Sequence, residues 1–86
     1  MSSPSVRVKD ITAGPGGVMT EEVGVITGAL TLRTELSAGG EVALKVQYKD
    51  AAEWYRVQGA TAHLATAGDL DAVHAIAVAL LDRPNG

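Results

Sequence analysis

The chain has 86 residues, a length typical of a single domain. It contains no cysteine, which excludes disulfides, thiolate nucleophiles and thiolate metal sites, and its net charge of −3 disfavours a general affinity for phosphate backbones. With no Phe, one Trp and two Tyr, the core must be built mainly from Val, Leu, Ile and Ala.

A core of such small side chains predicts a domain that gains stability by self-association. A domain of this size buries only about 60 to 65% of the surface of its unfolded chain, while ordering the backbone costs about 1 to 2 kcal/mol per residue. We therefore expect a homo-oligomer, most simply a dimer. The sequence has neither a signal-peptide pattern nor an apolar run of membrane-spanning length, so we expect a cytoplasmic protein without membrane contact.

A first strand is predicted over residues 5–12, where Val6 and Val8 alternate with Arg7 and Lys9. Charged side chains on a strand discourage pairing with a further strand. We therefore expect this strand at an edge of the sheet.

A break is predicted at residues 14–17, whose sequence GPGG favours a turn or an exposed loop. Residues 18–26 have a less regular pattern. Their valines and Ile26 favour extended structure, whereas Glu21 and Glu22 suit an exposed corner or the end of a hairpin. This segment predicts either one long bent strand or two short ones.

The central part of the chain, residues 28–59, predicts three consecutive antiparallel strands. Apolar side chains recur at even-numbered positions and polar ones at odd-numbered positions, and a period of two assigns them to opposite faces of a sheet. The even-numbered side chains that we expect to be covered are Leu30, Leu32, Leu36, Val42, Leu44, Val46 and Tyr48.

The loop at residues 38–40 (AGG) predicts the register of the first central hairpin. If Ser37 pairs with Glu41, the loop has three residues, with glycine available for its left-handed position. The same register sets Leu32 opposite Val46.

That register also sets Arg33 opposite Lys45 on the odd-numbered face. Like charges that face each other are unfavourable unless a negative charge lies between them. We expect Glu35, on the same face, to offset them in part.

The second central hairpin turns at residues 50–53 (DAAE), and two registers are open for the strand after it. We prefer the register that points Tyr55 and Val57 into the core and Trp54 outward. The opposite register would bury the Arg56 guanidinium, which is costly without a partner.

A helix is predicted after residues 60–65, which are either a connection or a short extra strand. Thr66 and Asp69 have the spacing of a capping box, and Pro84 ends the helix near residues 82–83. The apolar face that we expect to pack on the sheet, with Ile76 at its margin, comprises Leu70, Val73, Ala77, Leu80 and Leu81.

The opposite flank of this helix carries Ala72, Ala75 and Ala79, where a surface helix usually carries charges. Alanine is the best helix former, so simple tolerance of exposure is one interpretation. The other is that the small side chains let a second helix or sheet approach closely. These alanines are the candidate dimer contact, with a sheet edge as the alternative.

No pattern in the sequence predicts an enzyme, a cofactor or a metal site. His63 and His74 are the only histidines, and Asp71 precedes His74 by one helical turn. Two ligands are too few for zinc without a partner chain. A histidine at the boundary of a core is more often held by a carbonyl or a carboxylate, so we expect a structural role for His74.

The odd-numbered face of the sheet is the candidate binding surface. It displays three cations, two amides and one indole in an otherwise acidic protein: Arg33, Lys45, Gln47, Trp54, Arg56 and Gln58. An aromatic ring among cations can stack on the bases of single-stranded nucleic acid. The simpler interpretation is an ordinary solvated face of an antiparallel sheet.

The sequence therefore predicts one α+β domain over residues 5–83, between a flexible tail at residues 1–4 and a C-terminal tail at residues 84–86. Its fold is an antiparallel meander of four to five strands with one C-terminal α-helix packed on one face. The predicted function is a small, homodimeric, non-enzymatic protein-interaction or regulatory module with an unidentified protein partner. The alternative is a module that binds single-stranded DNA or RNA, or regulates transcription, through the outer face of the sheet.

Overall fold

The computed structural model describes residues 5–84, which form four antiparallel strands and a C-terminal helix. This confirms the α+β fold with an antiparallel meander. The predictions for residues 1–4 and 85–86 lie outside the described part of the chain. The elements are β1 (Ser5–Thr20), β2 (Gly24–Leu36), β3 (Glu41–Tyr48), β4 (Tyr55–His63), a short 3₁₀ helix (Ala67–Asp69) and α1 (Leu70–Leu81).

The sheet closes into a small barrel, a feature that the sequence pattern did not predict. Each strand pairs with the next one along the chain, and β4 returns to β1 at the pair Thr20–Val57. A backbone hydrogen bond of 2.9 Å, donated by Glu21 N to Arg56 O, reinforces this closure. The β1–β2 turn is thereby brought next to β4.

Away from the closure point, α1 lies alongside the first half of β1. The first turn of α1 is held by Arg7, whose Nε lies 2.6 Å from Asp71 Oδ1. The two residues that follow α1 are held by Thr12, whose N donates to Asp82 Oδ1 (2.9 Å) and whose O accepts from Arg83 N (2.7 Å). The edge position predicted for residues 5–12 agrees with this arrangement, because β2 is the strand that pairs with them.

β1 continues through residues 14–17, so the predicted break there is wrong. These four residues form a bulge opposite the single residue Thr27. β1 advances five positions across the bulge while β2 advances two, and the inward-facing side chains therefore change from odd to even numbers. Ala13 is buried before the bulge and Val18 is buried after it.

Gly17 is the residue of the bulge at which the backbone requires glycine. It has a φ of +67°, and a Cβ there would lie 2.7 Å from Ile26 O. The local signal that predicts a turn, a run of glycines with proline, is thus also the signal of a bulge.

Residues 18–26 are the end of β1 and the start of β2, joined by a hairpin turn at residues 21–23, so they form neither one bent strand nor two short ones, and the interpretation of Glu21 and Glu22 as the end of a hairpin is the one that agrees. The turn is fixed by Thr20, which is only 2% exposed. Its Oγ1 donates to Gly24 O (2.7 Å) and accepts from Val23 N (3.1 Å). A buried threonine hydroxyl therefore satisfies two backbone groups of the turn.

The predicted register of the β2–β3 hairpin is confirmed. Leu32 pairs with Val46, and Ser37 N donates to Glu41 O at 2.8 Å across the three-residue loop. Gly40 supplies the left-handed residue of that loop, with a φ of +89°.

Most even-numbered side chains of β2 and β3 face the interior, as predicted. Leu30, Leu32, Leu36, Val42 and Val46 are buried, and Leu44 is half-buried. Tyr48 is 43% exposed, so the prediction that it is covered is wrong; it is the last residue of β3, next to the turn. Thr34 is a polar exception within the core, with no exposed surface.

β4 adopts the preferred register, with Tyr55 and Val57 packed against the core and Arg56 exposed. It extends to His63, so most of the segment predicted as a connection or an extra strand is a continuation of β4.

The predicted helix is present, but its start and its packed face differ from the prediction. Thr66 makes no side-chain capping bond to the 3₁₀ helix, and Asp69 makes none to α1, so the capping box is not formed. Leu70 and Ala77 are buried, whereas Leu80 is 66% exposed and Val78 packs on the core in its place. The reason is the position of α1 over β1 and β2, which leaves the flank of the helix towards β4 uncovered.

Within residues 5–84, neither helix combines the length and the apolar character needed to cross a lipid bilayer.

Candidate binding surfaces

Three of the predicted binding residues lie in one row across the outer face of the sheet. Arg33 on β2 pairs with Lys45 on β3, and Lys45 pairs with Arg56 on β4. Trp54 joins this cation row, because Arg33 Cζ lies 5.6 Å from the centre of its ring, a distance typical of a cation–π contact.

The two predicted glutamines lie outside the cation row. Gln47 pairs with Thr31 on β2 and is half-buried. Gln58 is exposed and lies in the part of β4 that bulges away from β3.

Glu35 lies between two of the cations, as predicted. Its carboxylate oxygens are 2.6 Å from Arg33 Nε and 3.1 Å from Lys45 Nζ. The Arg33 Nε atom is buried, and despite this short contact its N–H has no acceptor in hydrogen-bonding geometry among the described residues. The ion pair therefore offsets the charge of Arg33 without satisfying this donor.

Arg56 is accompanied by the acidic turn between β1 and β2. Its Nε lies 3.8 Å from Glu21 Oε1, and both side chains are about half-exposed at 48%. Its backbone N donates to Glu22 Oε1 at 2.9 Å. Sequence reasoning missed this contact, because barrel closure brings together residues that are more than thirty positions apart.

A pocket of about 260 Å³ opens on the hairpin side of the cation row. The charged residues of its wall are Arg33, Glu35, Glu41, Lys45 and Arg56, and its apolar residues are Val6, Leu36 and Ala43. Val6 belongs to it because the bulge gives the first half of β1 the opposite parity, which places Val6 beside Glu35 on the outer face. Nothing in the sequence pattern of β1 indicated that its valines lie on the outer face.

Each cation of the row has a carboxylate within 4 Å, so the outer face is less positive than the sequence suggested. The ring of Trp54 is also partly engaged by Arg33. Both contacts would have to rearrange for a base to stack on this ring among free cations.

The three alanines predicted as a dimer contact are all exposed on α1, and two large apolar side chains lie with them. Ile76 is 62% exposed and Leu80 is 66% exposed. The five residues that form this outward stripe, with the i, i+3, i+4, i+7, i+8 spacing of a packed helix face, are Ala72, Ala75, Ile76, Ala79 and Leu80.

An apolar groove continues the outward stripe towards β4. It has a volume of about 240 Å³ and lies between α1 and the strands β3 and β4. Its wall contains no charged residue and consists of residues 59–62 with Val42, Leu44, Val73, Ile76, Ala77 and Leu80. On the other side, Leu80 lines a second depression formed with residues 14–17, Leu81 and Arg83.

His74 is bonded to a threonine of the core and not to Asp71, with which the sequence pairs it. His74 Nδ1 lies 2.8 Å from Thr34 Oγ1, so the predicted structural role is supported, with a buried hydroxyl as the partner. Asp71, the other member of the pair considered from the sequence, binds Arg7 instead. No group of three metal-ligating side chains occurs among the described residues.

No protein-family model matches the chain, and no curated protein and no solved structure shows significant similarity to it.

Proposed function

We propose that this protein is a small homodimeric interaction module and that two copies associate through the outward stripe of α1. The observation that carries the proposal is that α1 is apolar on both sides. Of the six residues of α1 that are exposed, five form the outward stripe and only Asp71 is charged. A helix that is apolar all round is normally buried all round.

The outward stripe is complementary to itself when two helices run antiparallel. A twofold axis near residues 77–78 sets Leu80 of one copy opposite Ala75 of the other, and Ile76 opposite Ala79. Each large side chain then meets a small one, which is how ridges of one helix enter grooves of another. A twofold axis repeats each contact, as a closed dimer requires.

Charge at the two ends of α1 favours the same arrangement. Antiparallel helices bring the C-terminal Arg83 of one copy close to the N-terminal Asp71 of the other. Arg83 is exposed and forms no ion pair with the described residues, and the Asp71 side chain stays 74% exposed although it binds Arg7. Parallel helices would place like charges together at each end.

The contact must extend beyond the helix itself. α1 has 12 residues and is therefore about 18 Å long, whereas a stable interface covers about 800 Å² of each partner. The uncharged groove beside β4 and the depression at residues 14–17 flank the outward stripe and supply adjoining surface. We infer that both are partly covered in the dimer.

We assign this module no reaction and no cofactor. His74 is held by Thr34, and the charged side chains of the outer face are held in ion pairs. Regulation of an unidentified protein partner through the dimer is the role that we favour. A cytoplasmic location is part of the same proposal and rests on the sequence alone.

The oligomeric state is tested by sedimentation equilibrium of the purified chain. We expect twice the chain mass of 8.8 kDa. Ala75→Glu and Ala79→Glu each bury a carboxylate against an apolar partner and should raise the dimer dissociation constant by at least about 100-fold. Ala51→Glu adds the same charge in the exposed β3–β4 turn and should leave it unchanged. A monomeric wild-type chain would overturn the proposal.

The orientation of the helices is tested by disulfide cross-linking, since the chain has no cysteine of its own. Around the proposed axis, two copies of residue 79 are offset by about three residues or 4.5 Å along the helix, and two copies of residue 72 by about 16 Å. We expect Ala79→Cys to cross-link and Ala72→Cys not to. Cross-linking of both variants would indicate parallel helices.

A further inference from the structure

We propose that the pocket beside the cation row binds a small monocarboxylic acid, with its carboxylate at Lys45 and Arg56 and its apolar body over Val6 and Ala43. This site lies on the outer face of the sheet, where all four strands contribute to it. It is separate from the outward stripe and does not depend on dimer formation.

The cations have donors to spare for a ligand. Glu35 is shared between Arg33 and Lys45, and Glu41 is the other acid of the pocket wall, so three cations face two carboxylates and the wall keeps one net positive charge. The Lys45 ammonium has three donors, of which Glu35 takes one. The contact of Arg56 with Glu21 is long, at 3.8 Å, and half-exposed, so it competes weakly.

Arg33 forms the fixed end of the cation row. Its Nε atom is buried in the pocket wall and lies 2.6 Å from Glu35 Oε2. Trp54 and Glu35 hold this guanidinium in place, which keeps the cation row ordered before a ligand arrives.

The opposite end of the pocket selects the body of the ligand. Val6, Leu36 and Ala43 present apolar surface, and the volume of about 260 Å³ is slightly below the range of about 300 to 1,000 Å³ of drug-sized sites. A second acidic residue, Glu41, lies in the wall and disfavours ligands with several negative charges. A guanidinium binds carboxylates and phosphates alike through paired donors, so the preference for a monocarboxylate over phosphate rests on its single charge, which suits the one net positive charge of the wall.

Isothermal titration of the full chain with benzoate tests the proposal, with benzamide as the uncharged control. We expect one saturable site per chain with a dissociation constant near or below about 1 mM. Benzamide should bind at least about tenfold more weakly, because it lacks the charge that the cations recognise. The Ala75→Glu variant should bind benzoate equally well, which separates this site from the dimer contact.

Arg56→Gln should weaken benzoate binding by at least about tenfold. Lys49→Gln is its matched control, because it removes one positive charge from an exposed residue that pairs with Asp10 outside the pocket. Ala43→Leu, which fills the apolar end and leaves every charge in place, should also weaken binding about tenfold or more. It keeps the test decisive if Arg56→Gln fails to fold.

Three results would overturn the proposal. The first is an absence of saturation by benzoate up to about 10 mM. The second is equal binding of benzoate and benzamide, or binding of inorganic phosphate in preference to both. The third is tight binding of an oligothymidylate without any response to benzoate. Quenching of Trp54 fluorescence by the oligonucleotide, with an affinity that falls steeply as the salt concentration rises, would identify the cation row as a nucleic-acid surface.

Discussion

The two long sides of α1 have similar residues and opposite surroundings. The inward side places Leu70 and Ala77 in the core, where Leu70 has no exposed surface and packs with Leu36 and Val42. The outward stripe is equally apolar, yet Ile76 and Leu80 are each more than 60% exposed. An apolar side chain stabilises a fold only when something covers it. The inward side should therefore govern folding, and the outward stripe should govern association.

Leu70→Ala should have the largest effect on folding. Removing a fully buried leucine leaves a cavity and should lower the free energy of unfolding by about 2 to 5 kcal/mol. Urea unfolding followed by circular dichroism measures this change, with Ala75→Glu as the common background so that the equilibrium is that of a monomer. A decrease of less than about 1 kcal/mol in the free energy of unfolding would indicate that the N-terminal end of α1 is not firmly packed.

Thr34→Val should have an intermediate effect on the same inward side. The substitution keeps the shape but removes the hydroxyl that bonds to His74 Nδ1 at 2.8 Å. We expect a loss of about 1 to 2 kcal/mol in the free energy of unfolding. A double-mutant cycle with His74→Leu should show a coupling of at least about 0.5 kcal/mol. Additive effects would mean that the contact contributes nothing to stability.

Leu80→Ser should have the smallest effect on folding and a large one on association. In the Ala75→Glu background we expect a change of less than about 0.5 kcal/mol in the free energy of unfolding, since the side chain is largely solvated. In the otherwise unchanged chain, sedimentation should show a dimer dissociation constant that is raised at least about tenfold. A destabilised monomer with an intact dimer would reverse the roles assigned to the two sides of α1.

The parts of the fold that the sequence predicted are local. The three-residue loop at residues 38–40 fixes which side chains of β2 and β3 face each other, and this alone places Arg33 beside Lys45. The preference for burying Tyr55 rather than Arg56 likewise depends on one strand and its turn. The registers of the two hairpins together therefore predict that Arg33, Lys45 and Arg56 lie on the same face of the sheet.

The parts that sequence reasoning missed depend on distant residues. Barrel closure brings Glu21 to Arg56, and no periodicity in either segment encodes that pair. The choice between Leu80 and Val78 as the packed residue could not be made from hydrophobicity, because both are apolar and the position of α1 over β1 decides it. Thr34 was overlooked because a polar residue at a core position is explained only by its partner, His74, forty residues later.

The bulge at residues 14–17 makes the length of this segment as important as its composition. Val18 lies five positions after Ala13 and both are buried, so this segment has to interrupt the regular alternation of β1. Deleting one of its four residues would leave a spacing of four, which a regular strand satisfies with Val18 and Thr20 still inward, whereas deleting two would leave a spacing of three, which still requires a bulge. The number of residues in this segment therefore decides which side chains in the second half of β1 face the core.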